Sequence, residues 1–115
     1  MEKASLDLIR GTLDLLILKT LTWGTLHGYA IAAAIKQATG DALLVEEGAL
    51  YPALYRMEEK GWIEAEWGLS GNNRRAKYYR LTTEGRRHFR NQQSMWNAYA
   101  AAVGKLLAAP RLQME

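Results

Sequence analysis

The chain has 115 residues, 49% of them hydrophobic, and a formal net charge of +3. That length fits one small domain with an appended helix, and a core modest enough to make oligomerisation a source of further burial. There is no cysteine, which excludes disulfides, thiolate metal sites and a cysteine nucleophile and suits a reducing cytoplasm.

Residues 1–10 (MEKASLDLIR) lack a charged start followed by an apolar run, so no secretory leader is expected. Residues 12–22 (TLDLLILKTLT) read as a helix apolar on nearly all sides, which implies burial against more than one neighbour. Asp14 and Lys19 interrupt it, and it is far shorter than the ~20 residues of a membrane span, so no membrane partner is expected. Trp23-Gly24 closes it. A second, alanine-rich helix occupies residues 28–38, with Tyr29, Ile31 and Ile35 as core candidates and Gly40 as its stop. His27 is placed to hydrogen-bond backbone at that helix start. Residues 43–45 (LLV) are a candidate short strand.

The third helix, roughly residues 48–60, lies in EEGALYPALYRMEEKGWIEAEW (46–67) and ends at Gly61. Pro52 has no N–H to donate, which places it in about the first turn. At 3.6 residues per turn Leu50, Ala53, Leu54 and Met57 share one face, the core face. Tyr51, Pro52, Tyr55, Arg56 and Glu59 fall mainly on the other side, where a merely solvated helix would show Lys, Glu and Gln. Tyrosine suits a DNA groove: its hydroxyl donates to a phosphate or base edge, and its ring packs on sugar or a thymine methyl. Arg56 is able to pair with a phosphate or with guanine. The alternative is that both tyrosines pack on a neighbouring element with wet hydroxyls. The nearby acids (Glu46, Glu47, Glu58 and Glu59) make this helix a poor phosphate magnet and shift the expected positive charge to the hairpin beyond it.

From Trp62 the period becomes two: Trp62, Glu64 and Glu66 alternate with Ile63, Ala65 and Trp67. Turn residues SGNNRRA (70–76) and a second β-rich run, KYYRLT, complete an antiparallel hairpin with Arg74, Arg75 and Lys77 at its tip. Between Arg74 and Arg90 seven basic residues face one acid, a local +6 in a chain whose remainder sums to −3. Such a patch is an electrostatic footprint for a polyanion, or else a solvated basic surface. Thr82 or Thr83 caps a last helix reaching about Leu107, with Pro110 beyond.

Helix, helix, helix, strand, strand, long helix predicts a mainly α fold with a small antiparallel β-hairpin. It is a winged helix-turn-helix over residues 1–82, a dimerisation helix over 83–109 and a tail over 110–115. In the last helix Phe89, Trp96 and Val103 recur every seven residues, with Tyr99 and Leu106 among those between. That stripe predicts a homodimer face packed with the first helix. Two recognition helices related by a two-fold axis would read a pseudo-palindromic operator.

GALYPALYRMEEKGWI resembles the G-x-LYP-x-L-x-R-L-E-x-x-G-[LW]-I signature of the PadR family of bacterial transcriptional regulators. LIRGTLDLLILKTL, HGYAIA and NNRRAKYYRLTTEG extend the resemblance over about residues 6–100. It implies a dimeric winged-helix DNA-binding protein, usually a repressor released by a small molecule. It further implies DNA contacts at Tyr51, Pro52, Tyr55, Arg56, Arg74, Arg75 and Lys77. The chain matches a short form with a single C-terminal helix. Met57 replaces the usual leucine, a volume-conserving change, and Tyr55 occupies a variable family position. In branches of the family, aromatic residues of the last helix line a cavity at the dimer interface that holds flat, aromatic or cationic compounds. Trp96 and Tyr99 stand there, for such a ligand or for packing alone.

No enzyme is expected. The serines Ser5, Ser70 and Ser94 lack triad partners, and GLSGN lacks the second glycine of a nucleophile elbow. His27 and His88 have no metal-ligand spacing, and no phosphate-cradling glycine motif occurs, so no metal or cofactor is expected. The competing readings are a winged-helix module that binds protein through the tyrosine-bearing helix, and a multidrug-binding protein with a secondary DNA role.

Overall fold

The computed structural model of the chain describes residues 6–112, in the order α1 (Leu6–Leu21), β1 (Leu26–His27), α2 (Gly28–Ala38), α3 (Glu47–Glu59), β2 (Ile63–Leu69), β3 (Arg75–Leu81) and α4 (Thr83–Ala108). The first five residues of the expected winged-helix unit, and with them half of the leader expectation, lie outside the described residues. So do the last three residues of the expected tail.

α1 is the central helix. Its uniformly apolar sequence makes sense because it packs on α2, α3, β3 and α4 together. Leu13, Ile17, Leu18 and Leu21 enter the core, and the buried Thr20 satisfies its hydroxyl by donating to the Ile17 carbonyl at 2.7 Å. α2 adds Ile31 and Ile35, and α3 adds Leu50, Ala53, Leu54 and Met57 at the expected helical spacing. Tyr29, expected in the core, is 75% exposed. As the second residue of α2 it faces away from α1, two positions before Ile31.

Pro52 stands in the second turn of α3, not the first, so the Gly48 carbonyl loses the N–H that would close its helical bond. Gly48 is exposed, which leaves that carbonyl to water. α3 ends in a complete Schellman motif: Gly61 takes φ +77°, its N–H donates to Glu58 O at 3.0 Å, and Trp62 N–H donates to Met57 O at 3.1 Å.

The strands form one antiparallel sheet in the order β1-β3-β2. Ile63 pairs with Leu81 at its base and Leu69 with Arg75 near its tip. The candidate strand at residues 43–45 is irregular chain. The third strand is instead β1, whose two residues pair with Tyr78 and Tyr79 and tie α2 to the wing. Thr82 caps α4, accepting from Gly85 N–H at 3.0 Å. Phe89, expected at a dimer face, is 8% exposed and belongs to the chain's own core. The apolar stripe of α4 therefore changes role along its length. Phe89 packs inward, while Trp96, Tyr99, Val103 and Leu106 stay exposed.

Candidate nucleic-acid interface

Opposite its core face α3 presents Pro52 and Tyr55, with Tyr51 on the flank toward the wing. Tyr55 is 66% and Tyr51 43% exposed. A hydrogen bond to the Glu59 carboxylate one turn on holds the Tyr55 hydroxyl above its ordinary range. Like any phenol, it is a donor at neutral pH.

The sequence places Arg56 beside Tyr55 on this face; the structure turns its guanidinium toward α1. Arg56 lies about 140° around the helix from Tyr51 and its guanidinium pairs with Asp14 of α1. There it lines a different cleft, together with Trp62, His88 and Trp96.

The wing rises beside α3. Residues 70–74 turn through Asn73, which adopts φ 64°, and Ser70 N–H donates to Arg74 O at 2.7 Å. The guanidinium of Arg75 lies 4.8 Å over the ring of Trp67, whose side chain is 57% exposed. Between the wing and the start of α2 runs a cleft of about 920 Å³, lined by Tyr51, Trp67, Arg74, Arg75 and Lys77 with His27 and Gly28 at its floor. Of the seven expected contact residues, four (Tyr51, Arg74, Arg75 and Lys77) line this cleft. Pro52 and Tyr55 are exposed on α3 without lining it, and Arg56 lines the other cleft.

The local +6 is thinned by pairing. Lys77 donates to Glu58 Oε1 at 3.1 Å, and that bond raises its pKa. Arg80 bonds Glu64 at 2.8 Å and Glu66 at 3.4 Å, which raises its pKa likewise. Arg87 pairs with Glu84. Among the described residues Arg74 and Arg75 at the wing have no carboxylate partner. They are the unpaired positive charge of this surface.

On the far side, between α1 and α4, a cleft of about 550 Å³ holds Asp14, Arg56, Trp62, His88, Trp96 and Tyr99. His88 stacks on Trp62 with centroids 3.6 Å apart and planes 11° from parallel. The Trp96 and Tyr99 rings stand 6.4 Å apart at 47°. Among the described residues no group of His, Asp and Glu could hold a metal, and no helix is long and apolar enough to cross a membrane.

Two contributors escaped sequence reasoning. Trp67 shares the two-residue phase of Ile63 and Ala65, so period alone assigns it to the buried face; only its position at the protruding end of the hairpin exposes it. Gly28 sits in a short HGY run whose spacing carries no chemistry of its own until Tyr51 is placed against it.

Residues 17–91 match the family model described as Transcriptional regulator PadR-like family. A solved PadR family transcriptional regulator from Eggerthella lenta is 35% identical, covering 91% of this chain and 89% of that one, with a TM-score of 0.78. A transcriptional regulator from Clostridium thermocellum is 32% identical over 86% of this chain and 96% of its own, also with a TM-score of 0.78. An uncharacterised protein of Lysinibacillus sphaericus is 33% identical over 90 residues, 78% of this chain and 83% of that protein.

Proposed function

The chain belongs to the PadR-like family of transcriptional regulators, and we propose that it binds double-stranded operator DNA as a homodimer and represses transcription until an effector binds. The observation that carries this reading is the convergence on one cleft of Tyr51 with Arg74 and Arg75, which pair with no carboxylate among the described residues, beside the exposed Pro52 and Tyr55. α3 enters the major groove and the wing tracks the adjacent backbone or minor groove. Lys77, with three N–H donors and one held by Glu58, joins them with its charge partly offset. Arg56 drops out of the contact set.

The dimer face is the outer part of α4, with Trp96, Tyr99, Val103 and Leu106, while Phe89 drops out because its own core holds it. Residues 1–82 then serve as the reading head and 83–109 as the dimer arm. Trp96 and Tyr99, angled toward each other in an open cleft, suit a flat aromatic or cationic effector through stacking and cation–π contact. Such a regulator works in the cytoplasm, where bacterial DNA lies, and has no enzymatic step.

Selection of duplexes from a random-sequence pool tests this. The expected product is a pseudo-palindrome with half-site centres about one helical turn, ~34 Å, apart. Enrichment of no common sequence would sink the reading.

A further inference from the structure

The HGY run that opens α2 remains without a role in DNA reading. His27 is spoken for: its Nδ1 accepts from Ala30 N–H at 3.1 Å, capping α2, and its backbone pairs with Tyr78. Gly28, the first residue of α2, is harder to explain. Glycine is a poor helix former, and Gly28 is not among the residues with positive φ.

What Gly28 has is a close neighbour. A Cβ at this position would lie 2.7 Å from the Tyr51 hydroxyl oxygen, 2.8 Å from Cε1 and 2.9 Å from Cζ. The phenol end of Tyr51 therefore rests on bare backbone. Neither backbone is free to retreat. α2 is pinned by the β1–β3 pairing, and α3 by Leu50 and Leu54, both fully buried. A methyl group at 28 would move the Tyr51 ring, because a side-chain end is the yielding partner. Gly85 makes the contrast, since there the added carbon would strike the Trp62 carbonyl, which is backbone.

We propose that Gly28 is a positioning residue for DNA recognition: its missing side chain seats the Tyr51 phenol against the start of α2 and so aims the hydroxyl into the cleft beneath the wing. This rests on the proposed DNA-binding role. Tyr51 itself touches the DNA, and Gly28 acts only through it. A pre-set hydroxyl loses less side-chain freedom on binding than a mobile one, which is where the affinity comes from.

The test is a double-mutant cycle by fluorescence anisotropy, using the full chain and a labelled duplex enriched by the wild type from a random pool. Wild type, Gly28→Ala, Tyr51→Ala and the double variant are compared, each with a melting curve. Gly28→Ala is expected to weaken binding roughly tenfold in the wild-type background and less than about twofold in the Tyr51→Ala background. Should Gly28→Ala alone fail to fold, a double variant that folds and binds like Tyr51→Ala supports the same contact. Equal losses in both backgrounds, or no loss in either, overturn the assignment while leaving the DNA-binding role intact. A wild-type chain that enriches no duplex overturns the DNA-binding role first, and this inference with it.

Discussion

His88 lies flat on Trp62, half-buried, with Asp14 and Lys60 as its charged neighbours. Burial is the main influence and pushes its pKa below the ordinary 6.5; Lys60 pushes the same way and Asp14 opposes. The folded chain thus binds fewer protons at this site than the unfolded chain as the pH falls through about 6.5, and stability rises with pH across that window. The contribution is fully present above 6.5 and is lost as pH drops toward the depressed folded value. Thermal melting recorded from pH 8 to 5 should show a decline that His88→Gln makes shallower; an unchanged pH dependence in that variant would remove His88 as a cause. Individual residues were unevenly legible in the sequence. The outward position of Tyr51 and Tyr55 comes from helical phase alone. That of Arg56 does not, because its phase borders two surfaces and Asp14, distant in sequence, decides between them. Lys77 likewise reads as free charge until Glu58 is brought beside it by the fold.

At the scale of elements, the joint between wing and α4 carries the tightest contact. Gly85 lies where a Cβ would fall 1.8 Å from the Trp62 carbonyl oxygen. That carbonyl accepts from Thr82 N–H at 3.1 Å and fixes the strand end to the helix start. Neither side can yield without breaking the cap, so Gly85→Ala should destabilise by about 2–4 kcal/mol in a denaturant titration. A change below about 0.5 kcal/mol would show that the joint is soft. The helices were legible because each has a period, a stop glycine or a cap in its own sequence, as with Gly61 and Thr82. β1 was not, since two residues display no period and exist as a strand only through Tyr78 and Tyr79 of β3. Residues 43–45 show the reverse failure: β-prone side chains without a neighbouring strand to pair with.

Across the whole molecule, burial and charge divide the labour. α1, α2, α3 and the sheet enclose one core, from which the second half of α4 departs with Trp96, Tyr99, Leu106 and Leu107 uncovered. The longest dimension is 66 Å against 32 and 22 Å for the others, and a helix of 26 residues accounts for about 39 Å of it. The order of elements was enough to predict this architecture from sequence. Heptad spacing makes the stripe on α4 look like one surface because it does not say where the chain's own core ends, and it ends between Phe89 and Trp96.

In the proposed role α3 and the wing bind DNA, with Arg74 and Arg75 supplying the phosphate contacts. Its most direct test is fluorescence anisotropy of an operator-bearing duplex and a scrambled control across a salt series, for wild type and Arg74→Ala/Arg75→Ala. Each phosphate contact contributes about 0.9 to the slope of log affinity against log salt, so the variant should lose roughly 2 units of slope per wing and bind both duplexes more weakly. Equal slopes for the two proteins, or no binding by the folded wild type at low salt, would contradict the DNA-binding role and favour a protein-binding role for the tyrosine-bearing helix.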